Sequence, residues 1–383
     1  YWLRAYSLLG AEDYPQRISA ESSTITLVKA LLGLLFPIRL PGRSILIVEG
    51  SRLCSFLEFR ERSNPFIIGS YPERQASLQG KICFLWSFPI NSAVQLAAIK
   101  RIYWPLRILS CLWAKHLSYK RCLVITYEDT QPIGIFFSEL AKVLPNLKHI
   151  CIQHGYFVPG LPSGFLDNRN SRINFVWDQV QLDLLKNSRC QHYIMGPPCE
   201  TASAEASSTN CIKLVLVGTG YQSQSPTIYL DFLSLFRRVS DFLDLPAHGI
   251  EVVYRPHPSE LSSRLYLDRR NWFVNIQQPS DCHLETCRSV YLGSISTLLY
   301  EAFLAGHCVG YIRHPGLPDP LFPRDFEVSV DQFSELTTLL VSAINSFDFF
   351  SSRSRVCREN CASEPLMARF KMAINQAGLS DCI

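Results

Sequence analysis

Short apolar runs, each followed by a stretch of helical periodicity, recur along this chain. Residues 44–50 (SILIVEG) form a compact apolar run ending in glycine, the pattern of a strand buried on both faces. Residues 81–86 (KICFLW) repeat it. Over 93–119, Ile99, Ile102, Leu106, Leu109 and Leu112 fall on one stripe, which predicts a helix whose pattern Pro105 interrupts. Residues 121–127 and 148–153 read as strands around a helix that Pro132 opens and that runs through Leu144. Strand, helix and strand at this spacing make a βαβ unit with parallel neighbouring strands. Shorter strands at 173–177 and 192–195 complete a first domain, residues 1–200.

Residues 201–211 are mostly small and polar, and they read as a linker. A second alternating series then fills 212–383. Strands are predicted at 213–217, 250–254, 289–292 and 308–312, with helices at 228–243, 297–305 and 331–347. Two successive βα series predict an α/β protein with two Rossmann-like domains, each a parallel sheet with helices on both faces, facing each other across a cleft.

Composition narrows the class. The chain has 383 residues, is 47% hydrophobic and only 18% charged, which suits two ordinary cores and excludes disorder. The net charge of +4 brings no Lys/Arg run of five or more and no nucleic-acid motif, so no nucleic-acid partner is expected. Fourteen cysteines are scattered without a Cys-x-x-Cys pair. Cys83, Cys122, Cys151 and Cys308 sit in apolar stretches as small core residues, so a reduced, cytoplasmic chain is expected. The apolar segment 25–38 is too short and broken to span a bilayer and reads as a buried helix. In 93–119, Lys100, Arg101, Arg107 and Lys115 accompany Tyr103, Trp104 and Trp113. That mixture fits either a core helix with a solvated basic side or peripheral contact with the inner face of the plasma membrane.

Candidate chemistry gathers where predicted strands end, the edge at which open α/β sheets bind ligands. Arg255-Pro256-His257-Pro258 follows one strand, and its prolines deny the backbone a helical continuation. They aim His257 and Arg255 off the sheet toward a phosphate or ribose. Ser294-Ile295-Ser296-Thr297 opens a helix containing Glu301. Helix N-termini bind phosphate, and serines there either cap the helix or add donors, while Glu301 can accept from ribose. Gly218-Thr219-Gly220 can cradle phosphate but lacks the full dinucleotide spacing. In the first domain, Gln153-His154-Gly155-Tyr156 ends a strand. His154 can take a proton from an attacking hydroxyl, Gly155 lets the backbone approach a ligand, and Gln153 and Tyr156 would meet substrate. Glu128 and Asp129 end the neighbouring strand and are the rival base. His116, His149, His192 and His314 read as structural. No metal site and no cofactor are expected, since there is no Asp-x-Asp motif and protein donors can hold a phosphate.

At these residues the chain resembles two-domain glycosyltransferases of the GT-B architecture. His257-Pro258 and Ser294 to Thr297 are similar, by type and order, to the HP and hydroxyl motifs with which polysialyltransferases and bacterial sialyltransferases hold CMP. Arg255 to Pro258 and the Ser296-x4-Glu301-Ala302 spacing look like Kdo transferases of capsule synthesis. His154-Gly155 resembles the pair of the glycerophosphotransferases that use CDP-glycerol, where the histidine is proposed as base. The resemblance spans roughly 121–312. It departs at Glu128-Asp129, where sialyltransferases have glycine next and this chain has Thr130, so the base is either Asp129 or His154. The resemblance implies a metal-independent glycosyltransferase moving a nonulosonic acid or Kdo from a CMP-sugar donor to a glycan or glycolipid acceptor in capsule or lipopolysaccharide synthesis. Alternatives are a CDP-glycerol or UDP-sugar enzyme, including a 2-epimerase-like one, and a non-catalytic glycan- or lipid-binding partner of a polysaccharide assembly complex.

Overall fold

Strands that are apolar on both faces require helices on both faces. Both sheets of this protein are built that way. The computed structural model describes residues 44–49, 66–68, 89–97, 101–127, 132–153, 155, 171–185, 190–197, 212–223, 225–242, 250–277, 284, 289–294, 296–317, 327–329 and 364–380. The chain divides into two compact units, each with one sheet. The first comprises Tyr1–His154, Pro162–Glu200 and Glu364–Ile383; the second comprises Gly155–Leu161 and Thr201–Ser363.

In the first unit six strands run parallel: β1 (Ser44–Glu49), β2 (Phe66–Ile68), β3 (Arg121–Thr126), β4 (Leu147–Ile152), β5 (Ile173–Val176) and β6 (Gln191–Ile194). Their order is β2-β1-β3-β4-β5-β6. Alternation along β3 serves two cores. Cys122 and Val124 pack with residues 89–97 (α1), α2 (Trp104–Leu117) and α3 (Pro132–Val143). Leu123 and Ile125 pack with Leu366, Phe370 and Ile374 of α7 (Leu366–Gln376) on the other face. β3, α3 and β4 form the expected βαβ unit, with β3 and β4 parallel neighbours. His149 of β4 is a buried structural histidine. Its Nε2 lies 2.9 Å from Thr126 Oγ1 and its Nδ1 3.0 Å from Ser138 Oγ. Cys122 and Cys151 lie in the core as small apolar residues.

The second unit holds β7 (Ile212–Val217), β8 (Ile250–Arg255), β9 (Ser289–Gly293), β10 (Cys308–Arg313) and β11 (Glu327–Ser329), all parallel in the order β11-β10-β9-β7-β8. Leu214 and Leu216 pack under α5 (Pro226–Phe242), whose Tyr229, Phe232 and Phe236 are buried. Val215 and Val217 face the opposite way, against Leu299 and Ala302 of α6 (Thr297–Leu304). The expected pair of parallel α/β sheets is therefore what the chain forms.

The structure differs from the sequence reading in four places. The single helix over 93–119 is two helices. Arg101 takes a left-handed conformation (φ 55°) between them, and Pro105 sits in the first turn of α2, where its missing N–H is no loss. Strands β2 and β11, three residues each, were not anticipated. Neither was α7, which returns to the first unit although it lies far beyond 201. Arg369 fixes that return by donating Nη1–H to the carbonyls of Met195 (3.0 Å) and Pro197 (2.9 Å). The expected elements at 25–38, 81–86 and 331–347, and the linker at 201–211, lie outside the described residues. No helix among the described residues is long and apolar enough to cross a membrane.

Candidate functional site

Chain order and strand order part company at β7, which has β8 on one side and β9 on the other. The loop leaving β7 runs to α5 on one face, and the loop leaving β9 runs to α6 on the opposite face. Two loops diverging from adjacent carboxyl ends open the crevice in which such sheets bind ligands. Gly218-Thr219-Gly220 follows β7, Arg255 to Pro258 closes β8, and Ser294 to Thr297 follows β9. The sheet thus brings all three sequence-predicted segments of the second unit to one edge. Strand spacing puts the outer two about 10 Å apart.

The β7 and β8 loops are packed against each other with no room for a side chain. A Cβ on Gly218 would stand 2.5 Å from Glu260 Oε1, 2.8 Å from the His257 backbone nitrogen and 2.9 Å from the Tyr254 hydroxyl. Arg255 is the last residue of β8, with only 8% of its surface exposed, and its carbonyl accepts from the Gly218 amide at 2.8 Å. The prolines do not simply stop helix formation. Pro258 opens a short 3-10 turn, Pro258–Ser262, and His257 is its N-cap.

That cap determines the tautomer of His257. The Ser259 amide donates to Nδ1 (3.2 Å), and Ser259 Oγ lies 2.7 Å from the same nitrogen. Gln222 Nε2 donates to Ser259 Oγ at 2.7 Å, leaving the serine proton for the imidazole. A neutral ring that accepts at Nδ1 carries its proton on Nε2. His257, exposed at the sheet edge, is therefore held as an Nε2–H donor.

Beneath it lies Glu260, wholly buried, with its Oε2 accepting from the Tyr254 hydroxyl at 2.6 Å. Burial pushes this carboxyl up to about 7, although the Tyr254 hydroxyl, the His257 amide, the Tyr229 hydroxyl and the Thr219 amide all favour its charged form. The sequence reading missed Glu260, Ser259 and Gln222. Glu260 stands three residues after the N-cap, the spacing of a capping box, and that signal was legible.

At the end of β9, Ser296 caps α6 by accepting from the Leu298 amide at 3.3 Å, which settles which serine does the capping. Ser294 is fully buried, and so, nearly, is Thr219. The hydroxyl oxygens of both lack a hydrogen-bond partner among the described residues. Leaving a buried hydroxyl unpaired costs about 1–3 kcal/mol, so a polar partner at this edge would stabilise both. Glu301 is half-buried, one turn into α6.

Gly155 begins the stretch Gly155–Leu161 that belongs to the second unit, and a Cβ there would stand 3.0 Å from Thr297 Oγ1. This close approach is what a glycine at that position permits. Gln153 is fully buried and takes up hydrogen bonds from the Trp177 amide (3.1 Å) and indole (2.8 Å), while its own amide donates to Gln181, so it braces β4 against β5 and α4 (Gln179–Leu185). In the first sheet the switch point falls between the carboxyl ends of β1 and β3. Glu128 and Asp129 follow β3 in sequence there. Those two, His154 and Tyr156 lie outside the described residues. No three His, Cys, Asp or Glu side chains are gathered as metal ligands among the described residues.

No family model matches the chain, and no curated protein matches it in sequence. Solved structures match in fold. S. aureus MnaA in a co-structure with UDP is 10% identical over 89% of this chain and 98% of its own, with a TM-score of 0.54. A UDP-N-acetylglucosamine 2-epimerase assigned in Listeria monocytogenes is 10% identical over 88% and 97%, with a TM-score of 0.53. The wall teichoic acid polymerase TagF is 9% identical over 99% and 98%, with a TM-score of 0.51. At such identities the likeness is one of fold: two Rossmann-like parallel sheets, consistent with the GT-B architecture.

Proposed function

We propose that this protein is an enzyme acting on a substrate activated by a pyrimidine nucleoside diphosphate, a UDP-sugar or CDP-glycerol, held at the carboxyl edge of β7, β8 and β9. The observation that carries this reading is the locked Nε2–H of His257 beside the closely packed Gly218 loop and Arg255. A neutral imidazole donor and a guanidinium at one sheet edge suit phosphate oxygens. The fold likeness to a UDP co-structure and to a TagF variant soaked with CDPG supports the diphosphate. In this reading Arg255 and His257 donate to the phosphates, Ser294 and the N-terminus of α6 at Thr297 add donors, and Glu301 meets the ribose. When the carbon–oxygen bond to the diphosphate of a UDP-sugar breaks, or the phosphoanhydride bond of CDP-glycerol breaks under attack at its β-phosphorus, negative charge gathers on the leaving UDP or CMP and these donors stabilise it. His154 or Asp129 takes the proton from the incoming hydroxyl.

A second reading keeps a CMP-activated nonulosonic acid or Kdo as donor and a glycan as acceptor, in capsule or lipopolysaccharide synthesis. The His257-Pro258 pair followed by Ser294 to Thr297 favours it. Calorimetry with UDP, CDP and CMP separates the two. Binding of UDP or CDP is expected; binding of CMP alone selects the second reading, and binding of none removes both. His257→Ala should weaken nucleotide binding about 10- to 100-fold, as for a hydrogen bond to a charged group. His154→Ala should leave binding intact and lower turnover. Equal loss of binding in both variants would refute this division of roles.

A further inference from the structure

The outward face of α2 carries a pattern that neither its own stability nor the nucleotide site explains. At 100° per residue, Trp104, Arg107, Ile108, Cys111 and Lys115 fall within an arc of about 100°. All five are exposed, as is Arg101 just before the helix, whereas Leu106, Leu109, Trp113 and Leu117 on the opposite arc are buried in the core. Trp104 (45%) and Ile108 (39%) remain open to solvent on this arc, and Tyr119 just past the helix is 93% exposed.

The charges are one-sided. From Arg74 to Tyr127 the chain has eight lysines and arginines and no aspartate or glutamate, although overall it is nearly balanced at 37 basic to 33 acidic residues. The helix dipole accounts for Lys115 and His116 in the last turn of α2. It does not account for Arg101 and Arg107, which stand at the positive end, where the first turn has no acidic residue. Cations placed against the dipole, beside an exposed tryptophan and isoleucine, call for an anionic partner with an apolar layer beneath its charges.

We infer that the face of α2 formed by Trp104, Arg107, Ile108 and Lys115, with Arg101 just before the helix, docks this protein on an anionic phospholipid surface. The basic groups meet lipid phosphates, and Trp104, Ile108 and Tyr119 enter the boundary between headgroups and acyl chains. Nucleic acid or an acidic protein would use the cations but leave Ile108 without a role. The inference is independent of the nucleotide reading.

Co-sedimentation of the full chain with vesicles tests it. Binding is expected to vesicles of phosphatidylcholine mixed with phosphatidylglycerol, weak binding to phosphatidylcholine alone, and release as salt is raised. Each basic side chain near an anionic surface contributes about fivefold in partitioning, so R107Q/K115Q should bind roughly 25-fold more weakly. W104S and I108S should also weaken binding while nucleotide affinity and the urea midpoint stay unchanged, which separates lost docking from lost folding. Equal sedimentation with both vesicle types overturns the inference. So does unchanged binding of all three variants, or retention on RNA or heparin without retention on vesicles.

Discussion

Alanine at Gly218 is expected to lower nucleotide affinity about a hundredfold, the cost of roughly 1 Å of misplacement at a binding edge. The Cβ would enter space already taken by three atoms, the Glu260 carboxylate at 2.5 Å, the His257 backbone nitrogen at 2.8 Å and the Tyr254 hydroxyl at 2.9 Å. None of them is the loose end of an exposed side chain. Glu260 is fully buried, and the Tyr254 ring is stacked on Phe273 with centroids 4.1 Å apart and planes 9° from parallel. The His257 backbone is pinned where β8 ends and the 3-10 turn begins. The loop itself must therefore shift, taking the His257 ring with it, and overpacking of this kind costs about 1–3 kcal/mol of stability. Calorimetry with UDP and CDP and a urea titration measure the two effects. Stability lost with affinity intact would show that the Gly218–Glu260 contact is only structural and would detach it from the proposed site.

That contact also marks how far the sequence could be read. Buried parallel strands announce themselves as apolar runs, so β3, β4, β7, β8, β9 and β10 lie close to where the pattern predicted them. Three-residue edge strands such as β2 and β11 contain less than two periods of alternation and give no such signal. Helix α7 does have the spacing, with Leu366, Phe370, Ala373 and Ile374 buried on one face. Its place beneath the first sheet is a different matter, because it depends on Arg369 reaching carbonyls more than 170 residues away. The site divides in the same way. The glycines, Arg255 and His257 stand out as residue types at strand ends. The bond from Gln222 to Ser259 joins positions 37 residues apart and decides which imidazole nitrogen holds the proton, and no spacing rule reveals it.

Acidification should move the two units in opposite directions, because burial lowers the pKa of His149 in the first and raises that of Glu260 in the second. His149 lies under α3 in the first unit, and burial lowers its pKa from 6.5 to about 3. A base depressed in the folded state contributes stability that is fully present above 6.5 and is lost as pH falls toward 3. At 1.36 kcal/mol per pH unit, the loss reaches about 3 kcal/mol by pH 4.5. Glu260 in the second unit behaves in the reverse sense. Its folded pKa of about 7 stands above the ordinary 4.5, so its contribution is fully present below 4.5 and is lost as pH rises through 7. That contribution is also about 3 kcal/mol. Between pH 7.5 and 4.5 the two effects nearly cancel in a global melt, and a melt of two units is not two-state in any case. Native-state hydrogen exchange resolves them. Protection of β4 amides should fall on acidification while protection of β8 amides rises. His149→Gln should flatten the first response only, and Glu260→Gln the second only. If β4 and β8 change protection together, and either variant alters both, the two groups are not the separate proton sinks that their burial requires.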